Sequence, residues 1–229
     1  MNNRTLKFFH TNTRKLPTFT IMRHAESTWN ADRKRVQGAS VDPSIILSKN
    51  GRNSIHPALK DLSKPDVLIC SSLLRCKETA ESWFGCAFET IPVQKKIVSD
   101  LREINAGIFE GRYIDELTHD ELWKLWLRNP STFPGFPKGE TPYEFQQRVL
   151  TAFSQICSEF NDTSQQICVI THGIVMRVLK CYLDDKDLSH LWKYDVTNLE
   201  RLTLTKEHSK ALQSYPIQIR DSCRRHPPL

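Results

Sequence analysis

Three short apolar runs, at residues 18–22, 66–70 and 167–171, are bounded by polar or turn-forming residues and predict buried β-strands. Weaker strand signals lie near 88–94 and 198–204. In the last of these, Asn198 to Leu204, apolar and polar positions alternate as on a half-exposed edge strand. Helical periods fill the intervals. Thr141, Pro142 and Glu144 form a capping box with proline at the first helical position, and Phe145, Val149, Phe153, Ile156 and Phe160 then recur at steps of three and four. A second helix is predicted after Gly173, burying Ile174, Val175, Val178 and Leu179. A third runs from Ile114 to Leu127, presents Leu117, Leu122, Leu125 and Trp126 as core, and stops before Pro130. Residues 129–140 hold three prolines and two glycines and read as a loop serving as a partial lid. Strands alternating with helices predict a three-layer α/β/α sandwich with a mainly parallel central sheet.

The length of 229 residues suits one large domain. The net charge of +6 is concentrated at the ends. Residues 1–16 carry Arg4, Lys7, Arg14 and Lys15 with no acidic residue. Residues 206–229 carry Lys206, Lys210, Arg220, Arg224 and Arg225 against Glu207 and Asp221. The body is therefore near neutral, and the expected division is a basic N-terminal tail (1–16), a folded domain (17–205) and a basic C-terminal tail (206–229). A nucleic-acid partner is not expected, because the basic excess does not sit on the domain. No apolar run reaches the roughly 20 residues of a membrane span. The seven cysteines form no Cys-x-x-Cys pair, and Cys70 and Cys168 lie in apolar runs, as free buried thiols do in a reducing compartment. A cytoplasmic location is expected. The acid-poor basic N-terminus leaves an organellar one as the alternative.

Chemistry-bearing residues cluster at the ends of the strands. The first strand ends in Arg23-His24 and the late one in Thr171-His172-Gly173. Ligands of open α/β sheets sit at such carboxyl ends. The run from Cys70 to Ala80 passes from strand to helix with Arg75 at the turn, and Asp100 to Gly111 forms a glycine-punctuated loop holding Glu103. Two strand-tip imidazoles with two guanidiniums are what phosphoryl transfer to a histidine needs: one imidazole attacks phosphorus while cations hold its oxygens. Each residue also has a plainer reading. A single strand-tip histidine is usually packing. Glu110 is expected to hold its own loop, and Glu26 to favour a helix N-terminus. Arg33, Lys34 and Arg35 either steer an anionic substrate or form a solvated basic face. Metal ligation is not expected. Arg23 and Arg75 would put positive charge beside an ion, and no paired carboxylates accompany the histidines.

These four segments, in this order, resemble the histidine phosphatase superfamily, which includes the cofactor-dependent phosphoglycerate mutases and many small phosphatases. The similarity spans about residues 18 to 204. It departs at Ala25, where glycine is usual, and at Cys70, Ser72 and Cys76, where serine, proline and alanine are frequent. The resemblance implies a phosphoglycerate mutase-like fold. It also implies that His24 is the nucleophile that becomes phosphohistidine, that Arg23 and Arg75 clamp the phosphoryl group, and that His172 and the Gly173 amide support it. Glu103 is then the acid for the leaving oxygen and the base for water, with Asn30 and Gln37 as phosphate or substrate contacts.

The expected function is a metal-independent phosphomonoester hydrolase, without a cofactor, acting on a small phosphorylated molecule. The alternatives are a phosphoglycerate mutase and an inactive phosphate-dependent binding module. The short segment from Gly111 to Thr141 favours hydrolysis, because a mutase must shield phosphohistidine from water. Neither the substrate nor the oligomeric state is readable.

Overall fold

The computed structural model describes residues 17–216. The predicted N-terminal tail and the last thirteen positions lie outside the described residues. Five strands form one sheet in the order β3-β2-β4-β1-β5. They are β1 (Thr18–Arg23), β2 (Val67–Cys70), β3 (Gln94–Ile97), β4 (Gln166–Thr171) and β5 (Arg201–Leu204). The first four are parallel, and β5 runs antiparallel against β1.

Alternation along the strands builds two cores. Phe19 and Ile21 of β1, Val67 and Ile69 of β2, and Ile167 and Val169 of β4 share one cluster. It also contains Phe145, Val149 and Phe153 of α5 (Pro142–Glu159) and Val175 and Leu179 of α6 (Gly173–Leu183). Met22, Leu68, Cys70, Cys168 and Ile170 point to the other face. There they meet Ile55 of α2 (Lys49–Ala58) and Cys76, Ala80 and Trp83 of α3 (Leu74–Phe84). The expected α/β/α sandwich with a mainly parallel sheet is thus the observed one. Each buried Phe, Leu or Ile contributes about 1.5–3 kcal/mol.

Four local expectations change. The stretch 88–94 is a tight helical turn at Phe88–Thr90, and β3 starts only at Gln94. Pro92 lacks the N–H that a ladder needs, and the strand that follows is an edge protected by Lys95 and Lys96. The helix expected from Ile114 to Leu127 splits into a turn at Glu116–His119 and α4 (Glu121–Arg128). Asp120 makes the break, because its side chain accepts from the Trp123 N–H and caps α4. Residues 129–140 are not a free lid: Phe133 and Phe136 are buried, and the Glu140 N–H donates to the Asn105 carbonyl. Finally, the folded body does not end at 205. Residues Lys206–Gln213 form α7, capped by Thr205, with Leu212 fully buried and Gln213 donating to the Cys157 carbonyl of α5.

Replacing Leu212 by Ala is expected to lower stability by about 2–5 kcal/mol in urea unfolding. A loss below about 0.5 kcal/mol, typical of a surface change, would return α7 to the status of an appended tail.

Candidate active site

Sheet register brings the site together. Arg23 of β1 pairs with Thr171 of β4, so the next residues, His24 and His172, leave adjacent strands side by side. The His24 N–H donates to the Thr171 carbonyl at 2.9 Å, and the two imidazole centroids are 5.2 Å apart in an edge-on arrangement. On the other flank of β4, β2 ends at Cys70 and α3 begins at Leu74, which puts Arg75 in the first turn. From the end of β3, a turn at Ser99–Leu101 leads to Glu103. Four neighbouring parallel strands therefore deliver all the predicted charged groups to one end of the sheet.

The cleft there has a volume of about 260 Å3, and Arg23, His24, Asn30, Gln37, Arg75, Glu103 and Gly173 line it. His172 lies behind His24, fully buried, with Nε2 2.8 Å from Ser71 Oγ and 3.5 Å from Cys76 Sγ. His24 Nδ1 donates to the Ala25 carbonyl at 2.7 Å. A carbonyl only accepts, so the proton sits on Nδ1 and the Nε2 lone pair is free. Burial, then Arg75 and Arg23, push the His24 pKa well below the ordinary 6.5. Burial and the same arginines, together with neighbouring His24, do the same to His172. Both rings are neutral at neutral pH.

Arg75, 1% exposed, donates one nitrogen to the Gly38 carbonyl at 2.8 Å. Arg23 donates to the Val196 carbonyl at 2.7 Å. Five buried side-chain polar atoms among the described residues have no hydrogen-bond partner, and four of them, Nε of Arg23, Arg35 and Arg75 and Nε1 of Trp123, belong to residues lining this cleft. All four are donors. Buried donors concentrated in one cleft suit a ligand rich in acceptor oxygens.

Glu103 Oε2 accepts from the Ile174 N–H at 3.0 Å, in the first turn of α6. Gly173 lies against the Arg23 guanidinium, where an added Cβ would stand 3.4 Å from Nε. Asn30 Oδ1 accepts from the Ser27 N–H, capping α1 (Thr28–Ala31). Its amide nitrogen is the group left for the cleft. Gln37 Oε1 accepts from the Ser27 hydroxyl. Ala25 is not among the residues with positive φ, so alanine costs no backbone strain here. Glu110 holds loops, as expected: its Oε1 accepts from the N–H groups of Ala39 and Ala106. Gly38 sits at φ +49°, which favours glycine, and a Cβ there would displace that oxygen from its place.

Two contributors escape a reading of the sequence. Arg148 of α5 donates to the carbonyls of Asp100 and Arg102 and forks onto both oxygens of Glu140, bracing the Glu103 loop. A cation one residue before Val149 on an apolar stripe was the available signal. Arg177, three residues beyond Ile174, lines the cleft and stacks 5.0 Å from the Trp192 ring. Trp126, expected as core, also lines it, together with Trp123, Phe136 and Trp192, whereas Leu125 of the same expected stripe is exposed. Among the described residues no group of three or more His, Cys, Asp and Glu is placed to hold a metal ion.

A model of the histidine phosphatase superfamily (branch 1) matches residues 19–215. The chain belongs to that family. It is 32% identical over 161 residues, covering 69% of the chain and 71% of the relative, to the probable phosphoglycerate mutase GpmB of Escherichia coli O139:H28. The structure of Bacillus stearothermophilus YhfR superposes with a TM-score of 0.71 at 26% identity, over 82% of this chain and 90% of that one. The phosphoserine phosphatase of Entamoeba histolytica, in complex with 3-phosphoglyceric acid, gives 0.67 at 21% identity over 84% and 92%, a likeness of fold. As a histidine phosphatase, the protein places the paired strand-tip histidines and the arginines of its sequence in one cleft.

Two outcomes follow from this electrostatic arrangement. Below pH about 6.5 the unfolded chain takes up protons at His24 and His172 that the folded protein refuses, so stability falls as pH falls through that window. Denaturant midpoints against pH measure this, and a flat profile would contradict the neutral pair. Orthophosphate or vanadate at a hundred times its dissociation constant should add about 2.7 kcal/mol, and Arg75→Ala should lose that gain. An unchanged melting temperature with either anion would remove the anion site.

Proposed function

We propose that this histidine phosphatase hydrolyses small phosphomonoesters in two displacements through phosphorylated His24. The observation that carries the reading is the set of unpaired donors of Arg23 and Arg75 beside a neutral imidazole whose Nε2 is free. Planar guanidinium forks suit phosphoryl oxygens and hold the charge that builds during transfer. His24 Nε2 attacks phosphorus, the ester P–O bond breaks, and Glu103 gives its proton to the leaving oxygen. Glu103, now a carboxylate, takes a proton from water as the water oxygen attacks phosphorus, and the N–P bond breaks. His172 accepts the Ser71 proton at Nε2, which leaves Nδ1–H as its donor to a phosphoryl oxygen. Gly173, at the start of α6, contributes the positive end of the helix, and Asn30 and Gln37 offer amide nitrogens to the substrate.

Hydrolysis suits a cleft with a short cover, which among the described residues comes chiefly from α4, the proline loop and Trp192. The mutase reading is favoured by one specific observation, the 32% identity to a probable phosphoglycerate mutase. It is separated by assaying phosphate release against isomer formation from 3-phosphoglycerate with its bisphosphate primer. No helix among the described residues is long and apolar enough to cross a membrane. The six described cysteines are unpaired, which fits the cytoplasm.

Turnover of phosphomonoesters in EDTA should fall at least about 10^3-fold in His24→Ala. Glu103→Gln should slow turnover about 10^2–10^4-fold for poor leaving groups and much less for good ones. Equal losses across leaving groups would overturn the acid assignment. Binding of the esters without turnover would mark a phosphate-dependent binding module.

A further inference from the structure

The cleft has a second half that phosphate chemistry does not use. Beyond the arginine pair, its wall consists of Trp123, Trp126, Leu127, Phe136, Ile174 and Trp192. Leu127 is 46% exposed and Ile114, also lining the cleft, 37%, so the apolar surface continues to the mouth. Set in this wall, Trp123 is 6% exposed, yet its indole N–H has no partner among the described residues. A buried indole N–H normally finds an acceptor. Arg35 offers an unpaired Nε to the same cleft, but its charge is already met by Asp32 at 2.8 Å. Arg177 gives Nε to the Tyr194 carbonyl and stacks on Trp192, and it has no ion pair among the described residues. The outer cleft therefore presents mainly apolar area, with the Trp123 N–H lying buried and unpaired in its wall.

We infer that the substrate is the phosphate monoester of a flat, apolar alcohol carrying a neutral acceptor oxygen, with the aromatic wall covering the ring and the Trp123 N–H reading the oxygen. The inference rests on the phosphomonoesterase reading and narrows its substrate class. Small polar esters such as glycerol 3-phosphate leave the wall wet and the indole unpaired.

The test uses esters with similar primary-alcohol leaving groups: 2-(2-naphthyl)ethyl phosphate, its 6-methoxy analogue, glycerol 3-phosphate and 3-phosphoglycerate. The naphthyl ester should exceed glycerol 3-phosphate by at least about tenfold in kcat/KM. The methoxy oxygen should add a further gain, and Trp123→Phe, which keeps the ring and removes the N–H, should abolish that gain. Equal kcat/KM across the panel, or a preference for 3-phosphoglycerate, overturns the inference and leaves the hydrolase standing. Binding of 2-(2-naphthyl)ethylphosphonate, read by tryptophan quenching, gives an arm independent of turnover. Tight binding with no hydrolysis of any ester would sustain the substrate class while sinking the hydrolase. Binding no tighter than that of glycerol 3-phosphate would sink the substrate class.

Discussion

Two guanidiniums and two imidazoles share a buried space at one end of a sheet, and among the described residues neither guanidinium has an ion pair. Burying like charges together is expensive unless a counter-charge arrives. Arg23 and Arg75 each satisfy part of their donor set on a backbone carbonyl and leave Nε unpaired. The imidazoles respond by staying neutral, with burial as the largest cause and the arginines next. In the proposed mechanism the same field keeps His24 neutral for attack and draws a phosphoryl group into the cleft. An oxyanion entering the cleft supplies the acceptors the donors lack. Binding and activation of the nucleophile are two consequences of one placement of charge.

The rest of the molecule serves that placement. Parallel register sets His24 beside His172, and the first turn of α3 carries Arg75 beneath the loop at Gly38. Glu110 ties that loop to the Glu103 loop, and Arg148 braces the latter from α5. Gly107, at φ +54°, lets the backbone pass against Pro137, where a Cβ would stand 2.0 Å from the carbonyl oxygen. The proline loop can therefore lie close and contribute Phe136 to the wall. Substrate chemistry at one end and substrate shape at the other come from different parts of the chain.

Much of this was legible in the order of residues. Apolar runs ending in Arg23-His24 and Thr171-His172 marked both the strands and the chemistry, because a strand tip must stop where polar groups begin. The capping box at Thr141 located α5, since its reciprocal hydrogen bonds are local. What could not be read depended on distant contacts. Helix α2 carries Gly51 and Pro57, which lower local helix preference, and forms because Ile55 is buried. Helix α7 looks like a solvated basic tail until Leu212 is seen against α5. Arg148 and Trp123 have meaning only through partners, or missing partners, that lie far away in sequence.

The central claim is that His24 takes the phosphoryl group. It is tested most directly by rapid acid-free denaturing quench during turnover of a labelled monoester, followed by peptide mapping. The account predicts phosphate that is lost in acid, stable in base and carried on the peptide containing His24. Label on another residue, or no phosphoenzyme at any time in a reaction that turns over, would contradict it.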